Sequence, residues 1–136
     1  MEQDNTTRLF NVKSGHYRDQ MSERQKGIWD THVQLTEQRL KQTQADYEKY
    51  RYQRYNQEVE KLWGKLRADI QAPRPQNAPA PHVPTMRELR ATAKHRVDER
   101  HQTSMNRVRE DGQAAINSLI RQVASRERGQ DRQRER

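Results

Sequence analysis

The chain has no cysteine, so no disulfide framework and no thiolate metal site can form. That usage fits a reducing compartment. Only one phenylalanine occurs, and the five glycines are scattered rather than gathered into a phosphate-cradling loop. No stretch approaches the roughly 20 apolar residues of a membrane span. The opening MEQDNTTRLF has no apolar run behind a basic start, unlike a secretory signal. These absences predict a protein that is cytoplasmic or internal to a particle, with no membrane partner.

Catalytic signatures are equally scarce. No serine sits in a G-x-S-x-G turn, and no H-E-x-x-H occurs. His95 and His101 are six residues apart, too far round a helix to share a metal. Asp98, Glu99, Glu110 and Asp111 lie beside Arg96, Arg100, Arg107 and Arg109, a spacing that reads as charge lacing along a solvated helix. The expectation is a non-enzyme, with no cofactor, no metal and no catalytic residue.

What the sequence does contain is charge. Charged residues make up 34% and hydrophobic ones 29% of 136 residues, with a mean hydropathy of -1.49. A compact domain usually carries about 45–50% apolar residues. A chain this polar cannot bury a large three-dimensional core, but it can build long helices that each need one narrow apolar stripe. The formal net charge is +8, from 27 cations and 19 anions. That excess favours polyanionic partners.

All five prolines fall in APRPQNAPAPHVP, residues 72–84. Alternating Pro and Ala makes an extended connector through which no helix runs. On one side, Ser22 and Gln25 form an S-x-x-Q capping box. From there Trp29, Val33, Leu40, Tyr47, Tyr55, Val59, Leu62, Leu66 and Ile70 recur at steps that are mostly threes, fours and their sums. A helix over 22–71 would be about 70 Å long at about 1.5 Å per residue. A second, thinner line of Met21, Ile28 and Leu35, with Tyr50 near it, projects to another side and suggests a further neighbour.

On the other side, Thr85 and Glu88 repeat the capping-box pattern. The stripe continues through Met86, Leu89, Ala93, Val97, His101, Met105, Val108, Gly112, Ala115, Leu119 and Val123, with His101 and Gly112 as its soft points. This predicts a helix over 85–124. Residues 125–136 keep no apolar side chain and read as a basic disordered tail. Residues 1–21 read as a flexible N-terminal segment, with Leu9 and Phe10 able to dock as a short staple.

The predicted fold is all-α: two long amphipathic helices joined by a Pro-rich connector, as a helical hairpin or an oligomeric coiled-coil bundle. The candidate packing or oligomer seam is Trp29, Val33, Leu40, Tyr47, Tyr55, Val59, Leu62 and Leu66 on the first helix. Leu89, Val97, Met105, Val108, Leu119 and Val123 are its counterpart on the second. Arg87, Arg90 and Lys94 share one helical face, a strip able to track phosphates without reading sequence. With Arg126, Arg128, Arg132 and Arg134 of the tail they are the candidate nucleic-acid-binding residues.

One stretch invites a sharper reading. YEKYRYQRY, residues 47–55, interleaves tyrosines with cations as a single-strand surface does. On a helical wheel Tyr47, Tyr52 and Tyr55 fall on or beside the main stripe, while Lys49, Arg51 and Arg54 scatter round the helix. The stretch therefore reads as the aromatic waist of a seam rather than an open stacking platform.

The functional expectation is a self-associating helical accessory protein that contacts DNA or RNA without sequence specificity, in a packaging, replication or DNA-mobilisation type role. The alternative is a structural or scaffolding coiled-coil protein whose partner is another helical protein.

Overall fold

The computed structural model describes residues 9–10, 17–79 and 82–134, with side chains as far as Ser125. Among the described residues the regular structure is helical, with no strand. Helix α1 is Glu23–Gln71 and helix α2 is Met86–Arg134. No helix among the described residues is long and apolar enough to cross a membrane.

Both helix starts use local side-chain caps. At α1 the box is reciprocal: the Gln25 backbone N–H donates to Ser22 Oγ at 3.2 Å, and the Ser22 N–H donates to Gln25 Oε1 at 3.0 Å. Two otherwise orphaned donors are satisfied at once. At α2 half of the box forms. The Glu88 N–H donates to Thr85 Oγ1 at 3.2 Å, while the Glu88 carboxylate instead meets His82 Nε2 at 3.4 Å.

The chain divides into two compact units, Met1–Thr43 with Ser104–Arg136, and Gln44–Thr103. In each, a segment of α1 packs against a segment of α2, and the two run antiparallel. In the first unit Gln25 bonds to Gln122 and Arg39 to Asp111. In the second, Gln44 meets His101 and Tyr47 meets Asp98. The chain's own α2 is thus the neighbour that the long apolar stripe of α1 requires.

The first unit is held by apolar burial. Trp29, Phe10 and Ile116 are its largest fully buried side chains. Met21, Val33, Leu119 and Val123 complete the cluster, with Leu9, Tyr17 and Ile120 packed against it. Of the predicted seam, Trp29, Val33, Val108, Leu119 and Val123 are buried here, and Leu40 and Met105 half-buried.

Four details differ from the sequence reading. Within segment 1–21, Leu9 and Phe10 dock as the staple the sequence allowed, and Tyr17 and Met21, which no staple included, join the same cluster, with Arg18 forked onto Asp30, 2.9 Å at its shortest. Met21 joins the core instead of a line with Ile28 and Leu35, which stay exposed. It precedes the first helical residue, so the 100° helical projection does not apply to it. Ile116, absent from the predicted stripe, is fully buried, whereas Ala115 is half-buried. Both fit steps of three and four, and turning Ile inward removes more methylenes from water, at about 0.8 kcal/mol each. Helix α2 also runs on through Arg134 rather than ending at 124. Residues 125–134 contain no proline and are rich in Arg and Gln, which propagate a helix without an apolar stripe.

Gly112, a soft point in the sequence, has a packing role. A Cβ placed there would lie 2.6 Å from Phe10 Cε1 and closer still to Thr36 Oγ1. The missing side chain is what lets the Phe10 ring and Thr36 approach α2.

Candidate functional site

The second unit is built differently. From α2, Leu89, Ala93 and Val97 are buried at steps of four. From α1, Tyr47, Tyr55, Val59, Leu62 and Leu66 are half-buried. Aliphatic side chains from one helix thus meet aromatic rings from the other, and the rings bring hydroxyls with them. Buried or half-buried hydroxyls require partners.

Asp98 supplies that partner. Tyr55 donates to Asp98 Oδ1 at 2.7 Å, and Tyr47 donates to the same oxygen. The two hydroxyl oxygens are themselves 2.8 Å apart. Three close oxygen pairs share two protons, so one contact lacks a hydrogen bond at any instant. The Tyr47 ring also stacks on His101, with centroids 4.0 Å apart and planes at 15°. His101 Nε2 reaches Gln44 Oε1 at 2.9 Å. The side chain that looked like a gap in the stripe is therefore a ring in a polar–aromatic stack.

The electrostatics follow from this geometry. The bond to Asp98 raises the Tyr47 hydroxyl above its ordinary value. Burial, then the bonds to Tyr47 and Asp98, raise Tyr55 well above its own. Burial works against the Asp98 carboxylate, but the two hydroxyl bonds, with Lys94 and His101 nearby, leave its carboxyl below the usual carboxylate range. At neutral pH the cluster is two hydroxyl donors on one carboxylate. It fixes the positions of the two rings.

Glu58 is a second polar device. It is only 4% exposed, and Arg100 clamps it with two bonds of 3.0 Å. Arg96 stands 3.7 Å away. The Arg100 bonds hold the Glu58 carboxyl below its ordinary value against the cost of burial, with Lys61 and Arg96 adding to the effect. Arg96, Asp98 and Arg100 were expected to lace along one helix face. They reach across to α1 instead, Arg96 and Arg100 to Glu58 and Asp98 to the tyrosine hydroxyls.

Between the two helix segments lies a cleft of about 490 Å³. Tyr47, Tyr52 and Tyr55 line it from α1 together with Arg51, and Arg90 and Lys94 line it from α2. Tyr47 and Tyr55 of the 47–55 stretch thus lie half-buried between the helices, while Tyr52 is exposed. The cations of that stretch do scatter: Lys49 and Arg54 lie over the Tyr50 ring at 5.2 and 5.8 Å, outside the cleft. The cations that join Tyr52 and Tyr55 come mainly from the other helix. Rings and cations do share a face, and it is assembled from both helices.

Of the predicted nucleic-acid residues, Arg87, Arg90 and Lys94 are all exposed, and none forms an ion pair among the described residues. The cleft brings Arg90 and Lys94 together with the tyrosines; Arg87 does not line it. The side chains of Arg126, Arg128, Arg132 and Arg134 lie outside the described residues. No group of three or more potential metal ligands occurs among the described residues. Sequence reasoning missed Glu58, Asp98, His101 and Gln44 as cross-helix partners. Glu58 carried a usable signal: it stands three residues after Tyr55 and next to Val59, on the apolar side of α1. A charge at stripe spacing implies a partner on the facing helix.

No known protein family, no curated protein and no solved structure matches the chain.

Proposed function

We propose that this chain is a non-catalytic helical accessory protein that binds nucleic acid through the exposed face of the second unit. The observation that carries the reading is the exposed cation strip Arg87, Arg90 and Lys94, without an ion pair among the described residues, beside a cleft of tyrosines. Neighbouring Arg96 and Arg100 are already committed to Glu58. The strip's three cations are not, so they can neutralise phosphates without breaking a native pair. Such contacts position a backbone and carry no base specificity. The arginines of residues 126–134 extend the same chemistry, and the net charge of +8 favours the encounter.

Self-association belongs to this proposal on a separate observation. Ile28 and Leu35 are exposed one heptad apart in the first unit, and Trp63 and Ile70 one heptad apart in the second. Exposed apolar pairs at that spacing suit a helix of another copy. They also favour the second reading, a scaffold whose partner is a helical protein.

Fluorescence anisotropy with a labelled 20-mer, at two salt concentrations, tests the nucleic-acid reading. Neutralising three phosphates lowers affinity about 40-fold between 50 and 200 mM salt. Replacing Arg87, Arg90 and Lys94 together by alanine should flatten that slope. Absence of binding at low salt, with oligomers intact by light scattering, rejects this reading in favour of the scaffold.

A further inference from the structure

We infer that the cleft of the second unit captures an unpaired base, so that the protein's preferred ligand is single-stranded nucleic acid rather than duplex. The inference rests on the nucleic-acid reading above and specifies which form is bound.

A single-strand site needs a ring for the base and cations for the flanking phosphates on one open surface. Tyr52 supplies the ring. It is 65% exposed, the most exposed large hydrophobic side chain among the described residues. It is also held in place. Tyr55 meets it edge-on with centroids 6.0 Å apart. Arg51 lies over it at 4.8 Å and donates to its hydroxyl at 3.1 Å. Tyr55 is in turn fixed by Asp98. The ring is therefore presented outward with little freedom left to lose on binding.

The phosphate partners stand on the opposite wall. Arg90 and Lys94 line the cleft from α2, one helical turn apart. With Arg51 they place three cations against one carboxylate, Asp98, whose charge two hydroxyls already engage. That balance suits an anion carrying an aromatic ring.

Arg51 gives an independent pointer. Its Nε is buried and has no hydrogen-bond partner among the described residues. A guanidinium with one donor unmet keeps capacity for a further acceptor. A phosphate oxygen is such an acceptor, and Arg binds it in a forked geometry.

The volume, about 490 Å³, lies within the range of small-ligand sites. It is of a size to take one base with its sugar and phosphate. A duplex can touch the Arg87–Lys94 strip, but its bases reach Tyr52 only after unpairing. An acidic polypeptide offers the charge without the ring.

The test compares a 12-nucleotide oligo-dT, a 12-base-pair duplex and poly-glutamate of matched charge. Affinities are measured for wild type, Tyr52→Ala and Tyr52→Phe. The inference expects oligo-dT to bind most tightly. Tyr52→Ala should weaken that binding about tenfold while leaving duplex affinity unchanged. Tyr52→Phe, which keeps the ring, should retain wild-type affinity. Equal affinity for single strand and duplex, unmoved by Tyr52→Ala, overturns the inference and leaves the broader nucleic-acid reading standing. Poly-glutamate binding as tight as oligo-dT, insensitive to Tyr52→Ala, also overturns it. No binding of either nucleic acid at low salt removes both readings together.

Discussion

The two units use the same pair of helices and opposite means of cohesion. The first buries Trp29, Phe10, Ile116 and their aliphatic neighbours, a cluster with no ionisable member. The second buries three small or medium aliphatics and closes around Glu58, Asp98 and two tyrosine hydroxyls. Apolar burial is nondirectional and needs only matching volume. Polar closure needs each donor and acceptor met, and it leaves rings and cations at the surface where a ligand can use them. The difference separates a unit closed by apolar volume from one closed by directed polar contacts.

The largest effect should come from the first unit. Trp29→Ala empties the centre of its core and should cost about 3–5 kcal/mol in urea denaturation. A loss below 1 kcal/mol would mean that the apolar cluster does not dominate this unit. Next, Gly112→Ala should destabilise by about 1–3 kcal/mol, since the new methyl meets Phe10 and Thr36. Its cost should shrink in a Phe10→Ala background, where the ring it strikes is gone. Equal cost in both backgrounds would show that the N-terminal segment does not seat on Gly112.

In the second unit the expected pattern is an asymmetry. Glu58 is buried while Arg100 is largely exposed. Arg100→Ala strands a buried carboxylate beside the more distant Arg96, whereas Glu58→Gln frees guanidinium groups that water can solvate. The urea midpoint should fall more for Arg100→Ala than for Glu58→Gln at pH 7. Acid should erase that difference. Glu58 and Asp98 both have folded-state carboxyls held below their ordinary values. Their contribution is therefore complete at neutral pH and is lost as pH falls below about 4. Amide exchange should show residues 44–60 losing protection on acidification before residues 28–36. Simultaneous loss would indicate that the apolar unit depends on the polar one. The smallest effect should be Tyr55→Phe, about 0.5–1.5 kcal/mol, because Asp98 retains Tyr47 as a donor.

How much of this was legible beforehand depends on the kind of interaction. The long stripes placed Trp29, Val33, Val108, Leu119 and Val123 correctly on one side of each helix, because a 3.6-residue period is a local property of the chain. Phe10 was visible only as an anchor without an address. Its seat is made by an absence at Gly112, about a hundred residues away in sequence, and an absent side chain has no signature in a hydropathy pattern. The cleft was hidden for a related reason. A helical wheel shows one helix at a time, and Tyr52 shares its surface with Arg90 and Lys94 of another.

By itself the sequence determined that the chain is helical, where its helices begin, and most of the stripe each one buries, although Ile70 and Met86 of those stripes stay exposed and Ile116 lay outside them. Those features depend on capping, on proline exclusion and on a period set by backbone geometry. Only the tertiary structure decided which residues of α1 face which residues of α2. That register turns Asp98 from a link in a surface charge ladder into the acceptor that orients two tyrosines. It also brings Tyr52 and Tyr55 of α1 to one cleft with Arg90 and Lys94 of α2. The physical reason is range: periodicity is encoded within one turn of a helix, while a site made by two helices depends on how their side chains fit across the space between them.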